Sequence, residues 1–578
     1  MVRIAVIDKE KCKPAICGHE CKKCCPIEKK EADSCIIIGD SAKIDEKTCI
    51  GCGICEKRCP FSAIKIINLP AIDDDSIIHR YGNNGFALYG LPSPKKGSVL
   101  GMLGRNGIGK TTAVKILAGQ EKLNLGKEAA TEKELKDFFQ GQELLTYFQK
   151  LGGKTVAYKP QNLSSLSKDI KAIDLLKERG DEKQIMKFAE SLNVSQVLDN
   201  KLNKLSGGEL QRIAIIAASL GEADIYFYDE PLAYLDIGER LRVSDFIKEV
   251  AKEKTIVVVE HDLLILDYLT DYLSIFFGEQ GAFGVVSTPK TSREGVNAYL
   301  SGFLKDENMR IRDKELKFNF TKNAPNSGLK ISEWDDFSVS FDSGFNLEVK
   351  KGEIHQNHVI GILGRNGTGK TTFVRALAGE LEVEQEGVKK KLDLNLDVSY
   401  KPQYLFTESE ETVRDIIFKE KIGKKVSSQF NLGVLQNKKL KDLSGGELQR
   451  FSIARCLAKK ADVYLIDEPS AYLDVEERIN VAKAIKDLMV EKEKTAFVID
   501  HDLLLVSYLA DSVINFGGES GKSGIAGEVV GFEKGITNLL ESLDITLRKE
   551  KESGRPRINK KGSVKDREQK SKGHLVEL

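Results

Sequence analysis

The chain has 578 residues, 41% hydrophobic and 30% charged, which is the composition of a folded globular protein. At about 150 residues per domain, this length predicts about four domains. The 88 basic and 87 acidic side chains nearly cancel, which excludes a polycation. Any nucleic-acid contact must therefore come from a local patch.

The clearest basic patch is residues 548–572, near the C-terminus. It is expected to be either a solvated or disordered terminus or an RNA-facing surface. No apolar run approaches the ~20 residues of a membrane helix, and the first residues lack the apolar stretch of a signal peptide. We therefore expect a cytoplasmic protein with no membrane contact.

Ten of the eleven cysteines lie before residue 60, which favours metal binding in a reducing compartment. Residues 49–60 spell C-x2-C-x2-C-x3-C-P, the spacing of a bacterial ferredoxin half-motif, whose last cysteine ligates the other cluster. The first half-motif is looser, with Cys24 or Cys25 as its fourth thiol. The following Pro26 favours Cys25.

Crossed ligation predicts two 4Fe-4S clusters. The ligand sets are Cys12, Cys17, Cys21 and Cys59 for one cluster, and Cys25, Cys49, Cys52 and Cys55 for the other. Cys24, Cys35 and Cys456 are left over. The alternatives are two zinc sites or buried structural thiols, although eight thiolates with two Cys-Pro endings match cubane clusters better.

A repeat defines the rest of the chain. Residues 104–112 (GRNGIGKTT) and 364–372 (GRNGTGKTT) both match G-x4-G-K-[ST], each between a strand-like and a helix-like run, as a P-loop requires. The predicted ATP-binding residues are Gly104, Arg105, Asn106, Gly107, Ile108, Gly109, Lys110, Thr111 and Thr112, and Gly364, Arg365, Asn366, Gly367, Thr368, Gly369, Lys370, Thr371 and Thr372. In each loop backbone N–H groups and the lysine meet the phosphates.

Further motifs recur in the same order in both halves. LSGGELQR stands at 205–212 and 443–450, Asp-Glu-Pro at 229–231 and 467–469, and His-Asp at 261–262 and 501–502. Together with Lys-Pro-Gln at 159–161 and 401–403, this order is specific for ABC ATPases. The catalytic candidates are Glu230 and Glu468 (water activation), His261 and His501 (γ-phosphate contact), and Gln161 and Gln403 (Q-loops). The expected Mg2+ ligands are Thr111, Asp229, Thr371 and Asp467.

In ABC proteins the signature acts across the interface between the halves. Ser444, Gly445 and Gly446 are therefore expected to complete the site on Lys110, and Ser206, Gly207 and Gly208 the site on Lys370. Tyr81 is the candidate adenine-stacking residue of the first half, and Trp334 or Phe337 that of the second. Residues 355–358 (HQNH) are interpreted as a turn rather than a metal site.

The first half carries extra residues ahead of Gln161. Residues 131–150 show i, i+3, i+4 apolar spacing twice, separated by Gly141, which predicts a helix-turn-helix. It is interpreted as either a solvated decoration or a docking arm for a large partner.

With ENMRIRD at 307–313 and RPRINK at 555–560, these features resemble the ribosome-recycling ABC ATPases, also called the RNase L inhibitor family, over essentially the whole chain. The resemblance implies an α/β multidomain fold with a ferredoxin-like 4Fe-4S domain, two head-to-tail ABC domains and a bipartite hinge. The implied bounds are 1–72 for the cluster domain, 73–303 and 326–544 for the ABC domains, 304–325 for the first part of the hinge, and 545–578 for its second part and the basic tail. Arg105, Arg365, Cys24 and the Pro-Leu-Ala-Tyr of the first D-loop region depart from the family pattern without removing a catalytic group.

The family also implies a function. It is ATP-driven splitting of ribosomes after termination or rescue, beside a release-factor-like protein, with retention on the small subunit and a role in initiation. We further expect a monomer that binds no DNA. The alternatives are a transporter ATPase subunit, which leaves the clusters unexplained, an ATP-gated electron-transfer protein, for which no flavin or nicotinamide motif is present, and an inhibitory ribonuclease-binding module.

Overall fold

The computed structural model describes residues 2–577 except 9–10, 31–33, 46–47, 70–75, 83, 128–129, 152–154, 313, 317, 319–327, 343 and 404–407. The chain folds as a small N-terminal cysteine-rich domain, two α/β halves and a C-terminal segment. This is the predicted fold class. Among the residues described, no helix combines the length and apolar composition that crossing a membrane would take. The expected boundary at 72/73 lies outside the described residues.

The N-terminal domain has four strands and two short helices. They are β1 (Val2–Ile7), α1 (Glu20–Cys24), β2 (Ile36–Ile38), β3 (Ala42–Ile44), α2 (Ile54–Arg58) and β4 (Ile64–Leu69). β1 pairs antiparallel with β4, and β2 with β3. Each helix ends at a cysteine before a proline, Cys25 and Cys59, in extended backbone. Proline disfavours helical geometry in the residue ahead of it, so both Cys-Pro pairs stop a helix and turn a thiol inward.

The first α/β half is built on a nine-stranded sheet. Its strands are β5 (Ile77–Arg80), β6 (Ala87–Tyr89), β7 (Ser98–Gly104), β8 (Val156–Lys159), β9 (Ile225–Asp229), β10 (Thr255–Val259), β11 (Tyr272–Glu279), β12 (Phe283–Val286) and β13 (Lys290–Thr291). Its helices are α3 (Lys110–Leu117), α4 (Glu132–Phe138), α5 (Glu143–Leu151), α6 (Ala172–Lys177), α7 (Glu182–Ser191), α8 (Gly207–Leu220), α9 (Ile237–Ala251), α10 (Leu263–Leu269) and α11 (Ser292–Ser301).

A short hairpin, β14 (Phe303–Leu304) and β15 (Met309–Arg310), leads to the second half. The strands there are β16 (Lys330–Trp334), β17 (Phe337–Ser340), β18 (Asn346–Val349), β19 (Gly352–His355), β20 (His358–Gly364), β21 (Glu382–Gln385), β22 (Val388–Lys391), β23 (Val398–Lys401), β24 (Val463–Asp467), β25 (Thr495–Ile499), β26 (Ser512–Gly517) and β27 (Ser523–Gly531). The helices are α12 (Lys370–Leu377), α13 (Val413–Lys419), α14 (Lys424–Gln429), α15 (Gly445–Ala458), α16 (Val475–Lys492), α17 (Leu503–Leu509) and α18 (Phe532–Leu543).

Both halves share one parallel core. Its strand order is β11-β7-β10-β9-β8 in the first half and β26-β20-β25-β24-β23 in the second. Since the carboxyl ends of parallel strands meet at one edge of a sheet, the P-loop after β7 or β20 lies beside the acidic pair after β9 or β24. The HQNH segment spans the end of β19, a turn with Asn357 at φ 55°, and the start of β20.

Helices α4 and α5 occupy the predicted insertion. Thr131 caps α4 in a capping box with Glu134, and Gly141, at φ 79°, separates the two helices. Their apolar faces pack on the first half, where Phe139 is buried and the hydroxyl of Tyr147 donates to the carbonyl of Leu117 at 2.7 Å. The insertion is thus anchored in the core of its half.

The C-terminal segment is folded. It forms β28 (Leu547–Lys549), β29 (Pro556–Ile558), α19 (Val564–Lys572) and β30 (Val576–Glu577). Arg555 is fully buried and pairs with Asp267 of α10 at 2.8 Å. The alternative of a disordered basic terminus is therefore wrong, because part of its charge is neutralised inside the first half.

The two halves face each other through a continuous apolar core. Ile265 and Leu269 of α10 join one cluster with Val506 of α17, Leu540 of α18 and Leu547 of β28. The interface therefore brings the second half and the C-terminal segment onto the same helix of the first half.

Candidate active sites and iron–sulfur centres

The glycines of each P-loop adopt backbone angles that other residues avoid. Gly107 and Gly109 have φ of 72° and 94°, and Gly367 and Gly369 have 73° and 91°. A Cβ at Gly109 would also lie 2.6 Å from the ring of Phe86. Glycine accepts these angles at no steric cost, so the loop can wrap its N–H groups round a phosphate at the N-terminus of α3 or α12.

Each P-loop lysine bonds its own loop. The Nζ atom of Lys110 donates to the carbonyls of Gly104 and Arg105, both at 2.7 Å, and Lys370 makes the equivalent pair at 2.9 and 2.7 Å. Burial lowers the pKa of both lysines to about 8, opposed in the first site by Asp474. A phosphate beside Nζ would favour the charged form.

The expected Mg2+ ligands lie beside the P-loops. The hydroxyl of Thr371 donates to Oδ2 of Asp467 at 2.8 Å, and Oδ1 of Asp467 is buried with no hydrogen-bond partner in the part of the chain described. In the first half the hydroxyl of Tyr158 donates to Asp229 at 3.2 Å, and Thr111 stands in the first turn of α3. A hydroxyl and a carboxylate oxygen open to a ligand form the oxygen-only set that Mg2+ prefers.

The glutamates after the two strands are held in a strained backbone. Glu230 and Glu468 lie in the left-handed region, with φ of 45° and 47°. Such a conformation costs about 1 to 3 kcal/mol for a non-glycine residue and persists only where surrounding contacts impose it. One such contact is the Q-loop amide, from Gln161 to Glu230 at 2.7 Å and from Gln403 to Glu468 at 2.6 Å.

A histidine faces each glutamate. The Nε2 atom of His261 lies 3.5 Å from Glu230, and that of His501 lies 3.6 Å from Glu468. Burial lowers the pKa of both histidines well below the ordinary value and raises the pKa of both glutamates. A neutral imidazole next to a carboxylate of increased proton affinity is suited to holding a water and taking its proton.

The two halves meet head to tail at their P-loops. The backbone N–H of Asn106 donates to Asp474 of the second half at 3.2 Å, and that of Asn366 donates to Asp236 of the first at 2.9 Å. The side chain of Asn366 also donates to the carbonyl of Tyr234 at 3.0 Å. Each P-loop therefore touches the D-loop (AYLD, residues 233–236 and 471–474) of the opposite half.

A cavity of about 720 Å3 lies between the halves at the first site. Its lining includes, from the first half, Gly107, Gly109, Lys110, Thr111, Thr112, Gln161, Asp229, Glu230 and His261, and from the second, Gln403, Ser444, Gly445, Gly446, Glu468 and His501. At the second site Gly207 and Gly208 pack against Tyr234, whose carbonyl contacts Asn366. The structure thus brings each signature toward the P-loop of the other half.

The candidate adenine-stacking residues lie in different environments. Tyr81 is exposed and lines the cavity with Phe86. Trp334 and Phe337 are wrong for the second site, because both are buried in the core of the second half and the Trp334 indole donates to a backbone carbonyl. Phe341 was missed. Its N–H bonds the carbonyl of Phe345 as that of Tyr81 bonds the carbonyl of Phe86, a match that aligning the two repeats would have shown.

Two buried ion pairs at the interface were also missed. Arg240 binds Asp262 at 2.6 Å, and Arg478 binds Asp502 at 3.0 Å. Arg240 also approaches the carbonyl of His501 at 3.5 Å. The sequence repeat could have indicated these arginines, since each one stands four residues after the aspartate of its D-loop.

The unusual P-loop arginine of the first half has a partner across the interface. Arg105 lies 3.1 Å from Glu476 at the start of α16. Arg312, in the segment between β15 and β16 that we call the connector, binds the same carboxylate. The equivalent position in the first half is Gly238, so Arg365 meets no matching carboxylate there. The two sites differ in this ion triad.

The cysteines fall into the two predicted groups. The thiol of Cys21 lies among Cys59, Cys17 and Cys12, and its burial raises its pKa to about 11. A second cavity is lined by the other set, Cys25, Cys49, Cys52 and Cys55, and by Cys35. In the described chain no three metal-binding side chains converge as they would on a single ion, whereas a cubane is a larger body that takes one thiolate at each iron. The donor set fits such clusters.

The turn between β5 and β6, of which residue 83 lies outside the described residues, contacts both the cysteine domain and the first site. Asn84 is buried, donates from Nδ2 to the carbonyl of Ala5 at 3.1 Å, and accepts from the N–H of Ile44 at 2.8 Å. Tyr81 and Phe86, at the two ends of the same turn, line the cavity. The turn therefore contacts the candidate nucleotide site and the cysteine domain at once.

Family models match four parts of the chain. "ABC transporter" matches residues 93–233 and 347–471, "4Fe-4S binding domain" matches 42–65, and "Possible Fer4-like domain in RNase L inhibitor, RLI" matches 2–30. The matches assign ATP-binding ABC domains to both halves and 4Fe-4S binding to the N-terminal domain.

Similar proteins span the full length. "ABC transporter E family member 1" of Arabidopsis thaliana is 42% identical, covering 100% of this chain and 99% of its own. "Translation initiation factor RLI1" of Saccharomyces cerevisiae is 40% identical, covering 100% and 98%. The solved structure "Model of ribosome-bound archaeal Pelota and ABCE1" superposes with a TM-score of 0.92 at 44% identity, covering 100% and 99%.

Proposed function

Because the chain belongs to the RNase L inhibitor family, the E family of ABC proteins, we propose that it is an ATP-driven ribosome-recycling factor. It splits ribosomes into subunits after termination or rescue. Closure of the ABC halves moves the iron–sulfur domain, which acts against the subunit interface.

The observation that carries this proposal is the turn at residues 81–86. Asn84 ties the cluster domain to the first half by three hydrogen bonds, to the backbones of Ala5, Ile7 and Ile44. Lys65 of β4 also pairs with Glu279 of β11. Nucleotide contacts at the ends of the turn therefore bear on the cluster domain through the hydrogen bonds of Asn84.

We assign hydrolysis of ATP to two composite sites. Glu230 and Glu468 take a proton from the attacking water, while neutral His261 and His501 donate to the γ-phosphate. The lysines and Mg2+ ligands hold the phosphate chain. The serine and glycines of each opposite signature supply donors once the halves close.

The N-terminal domain is assigned two 4Fe-4S clusters, on the two sets of four cysteines given above. Bound there, they cross-link the short strands and helices and stiffen a domain whose own apolar core is small. Their role in this proposal is structural.

The partners are the ribosome, mainly its small subunit, and a release-factor-like protein. The similar structure, of archaeal ABCE1 bound to the ribosome with Pelota, supports the ribosome and a second protein beside it as partners. The protein acts as a monomer, with residues 304–325 and 545–562 as its hinge, and it stays on the small subunit for a role in initiation. The name of the yeast relative supports that last step.

The test is ribosome splitting on a sucrose gradient with ATP and the release-factor-like partner. In E230Q/E468Q protein, phosphate release should fall by about 10²- to 10⁴-fold, the usual value of a general base, and free subunits should no longer accumulate. Trp334→Phe, a core change, is the control and should retain both activities. Normal turnover and splitting by the double variant would overturn the mechanism.

A further inference from the structure

The cavity of the second predicted cluster has more thiols than a cubane can use. Five cysteines line it, namely Cys25, Cys35, Cys49, Cys52 and Cys55. A 4Fe-4S cluster offers four irons, each taking one thiolate. One thiol is therefore spare, and Cys35 is the one outside the ferredoxin spacing.

Cys35 is built into the wall of this cavity. It is 1% exposed and directly precedes β2, where its carbonyl accepts the N–H of Asp45 at 2.8 Å. Its thiol contacts Cys25 and Thr48 and faces Cys49. The Cys35 sulfur thus lies beside the Cys25 sulfur, which is a proposed ligand of the second cluster.

The other leftover thiol in this domain is placed differently. Cys24 is the last residue of α1, and its Sγ approaches the carbonyl of Cys21 at 3.4 Å. It is half-buried and lies near Cys52 and Cys55, but it is not among the residues that line the cavity. Adjacent in sequence to Cys25, it serves as a matched comparison for Cys35.

We propose that Cys35 is a reserve ligand of the second cluster, which binds the iron of Cys25 when that thiolate is lost. In the exchange the iron–sulfur bond to Cys25 breaks and one to Cys35 forms, while the Cys35 proton passes to the departing Cys25 sulfur. No electron is transferred. The inference rests on the proposed pair of 4Fe-4S clusters and goes beyond it in naming a fifth ligand.

The experiment measures iron and acid-labile sulfide per chain in full-length protein purified without oxygen, together with the electron paramagnetic resonance of the reduced clusters. Alanine replaces cysteine, since it offers no oxygen to the iron. Wild type and Cys35→Ala should hold about eight irons, the content of two cubanes. Cys25→Ala should also hold about eight, with an altered resonance from the new ligand.

Two double variants decide the matter. C25A/C35A should fall to about four irons, whereas C25A/C24A should stay near eight. Cys21→Ala, at the first cluster, is the control for a site with no reserve thiol and should lose about half the iron.

Loss of half the iron in Cys25→Ala alone, or its retention in C25A/C35A, would overturn the inference. Loss in C25A/C24A with retention in C25A/C35A would assign the reserve to Cys24. Zinc in place of iron in the wild type would instead overturn the proposed cofactor, so the two failures are distinguishable.

Discussion

Carboxylates with raised pKa values directly precede His261 and His501 in the sequence. Burial raises the pKa of Asp500 to about 6, and Asp502 next to it adds to the shift. Asp500 accepts hydrogen bonds from the N–H and hydroxyl of Ser470. It therefore holds the D-loop of the second half while carrying a charge that its surroundings disfavour.

The stability of the Asp500→Asn variant relative to wild type should increase as the pH rises. The pKa of Asp500 is higher in the folded protein, about 6, than in the unfolded chain, about 4. The free energy of unfolding of the wild type therefore falls as the pH rises between these two values. The melting temperature of the variant minus that of wild type should rise from pH 4.5 to about 6 and then level.

Thermal melts across that range check this prediction. Asp397→Asn, at an exposed position directly before β23, is the control that tests whether the trend is specific to the buried carboxylate. A difference that falls with rising pH would contradict the assignment.

At the scale of elements, the start of α16 distinguishes the two ATP sites. Glu476 binds Arg105 of the first P-loop and Arg312 of the connector, while the start of α9 carries Gly238 instead. Closure of the first site is thus linked to the connector by charge.

Glu476→Gln should weaken nucleotide retention at the first site and spare the second. Arg105 is half exposed, so the loss should be about 1 kcal/mol or roughly fivefold. Nucleotide trapped per chain in single E230Q and E468Q backgrounds separates the two sites.

The reciprocal variant is Gly238→Glu, which offers Arg365 a partner. Its Cβ would lie 3.0 Å from a terminal methyl of Leu543, which can move. Improved retention at the second site is expected. Equal losses at both sites in Glu476→Gln would refute the asymmetry.

The sequence predicted most elements around the sites, because P-loops, signatures and Cys-Pro pairs fix local backbone. It failed where tertiary packing decides. Trp334 was a candidate for stacking on adenine because it is an aromatic residue ahead of a P-loop, yet it lies in the core in contact with Phe373. Arg555 belongs to a basic run, yet it is buried and pairs with Asp267, which is far away in sequence. Neither partner can be inferred from spacing.

At the scale of the whole molecule, the C-terminal segment docks through that arginine. Arg555→Ala leaves Asp267 with Arg557 as a partner, so the loss of stability should be smaller than the ~3 to 5 kcal/mol of a buried charge left without any partner. Residues 545–577 should become susceptible to protease while the rest of the chain stays folded. Limited proteolysis read by mass spectrometry measures this.

Arg557, which binds the same aspartate at 2.8 Å but is partly exposed, provides the matched control. Arg557→Ala should have the smaller effect. Equal protection of the segment in Arg555→Ala and wild type would show that apolar packing alone holds it.

The buried Arg555 and the connector together mean that the second half is attached to the first at both of its ends. Leu316 of the connector bonds the carbonyl of Leu300, and β28 packs on the core of the first half. The connector and the docked C-terminal segment thus both hold the second half to the first. When the halves separate, each remains at a high effective concentration relative to the other. Reclosure is a unimolecular event, whose rate is independent of protein concentration, and a single cut in the connector leaves the pair tethered.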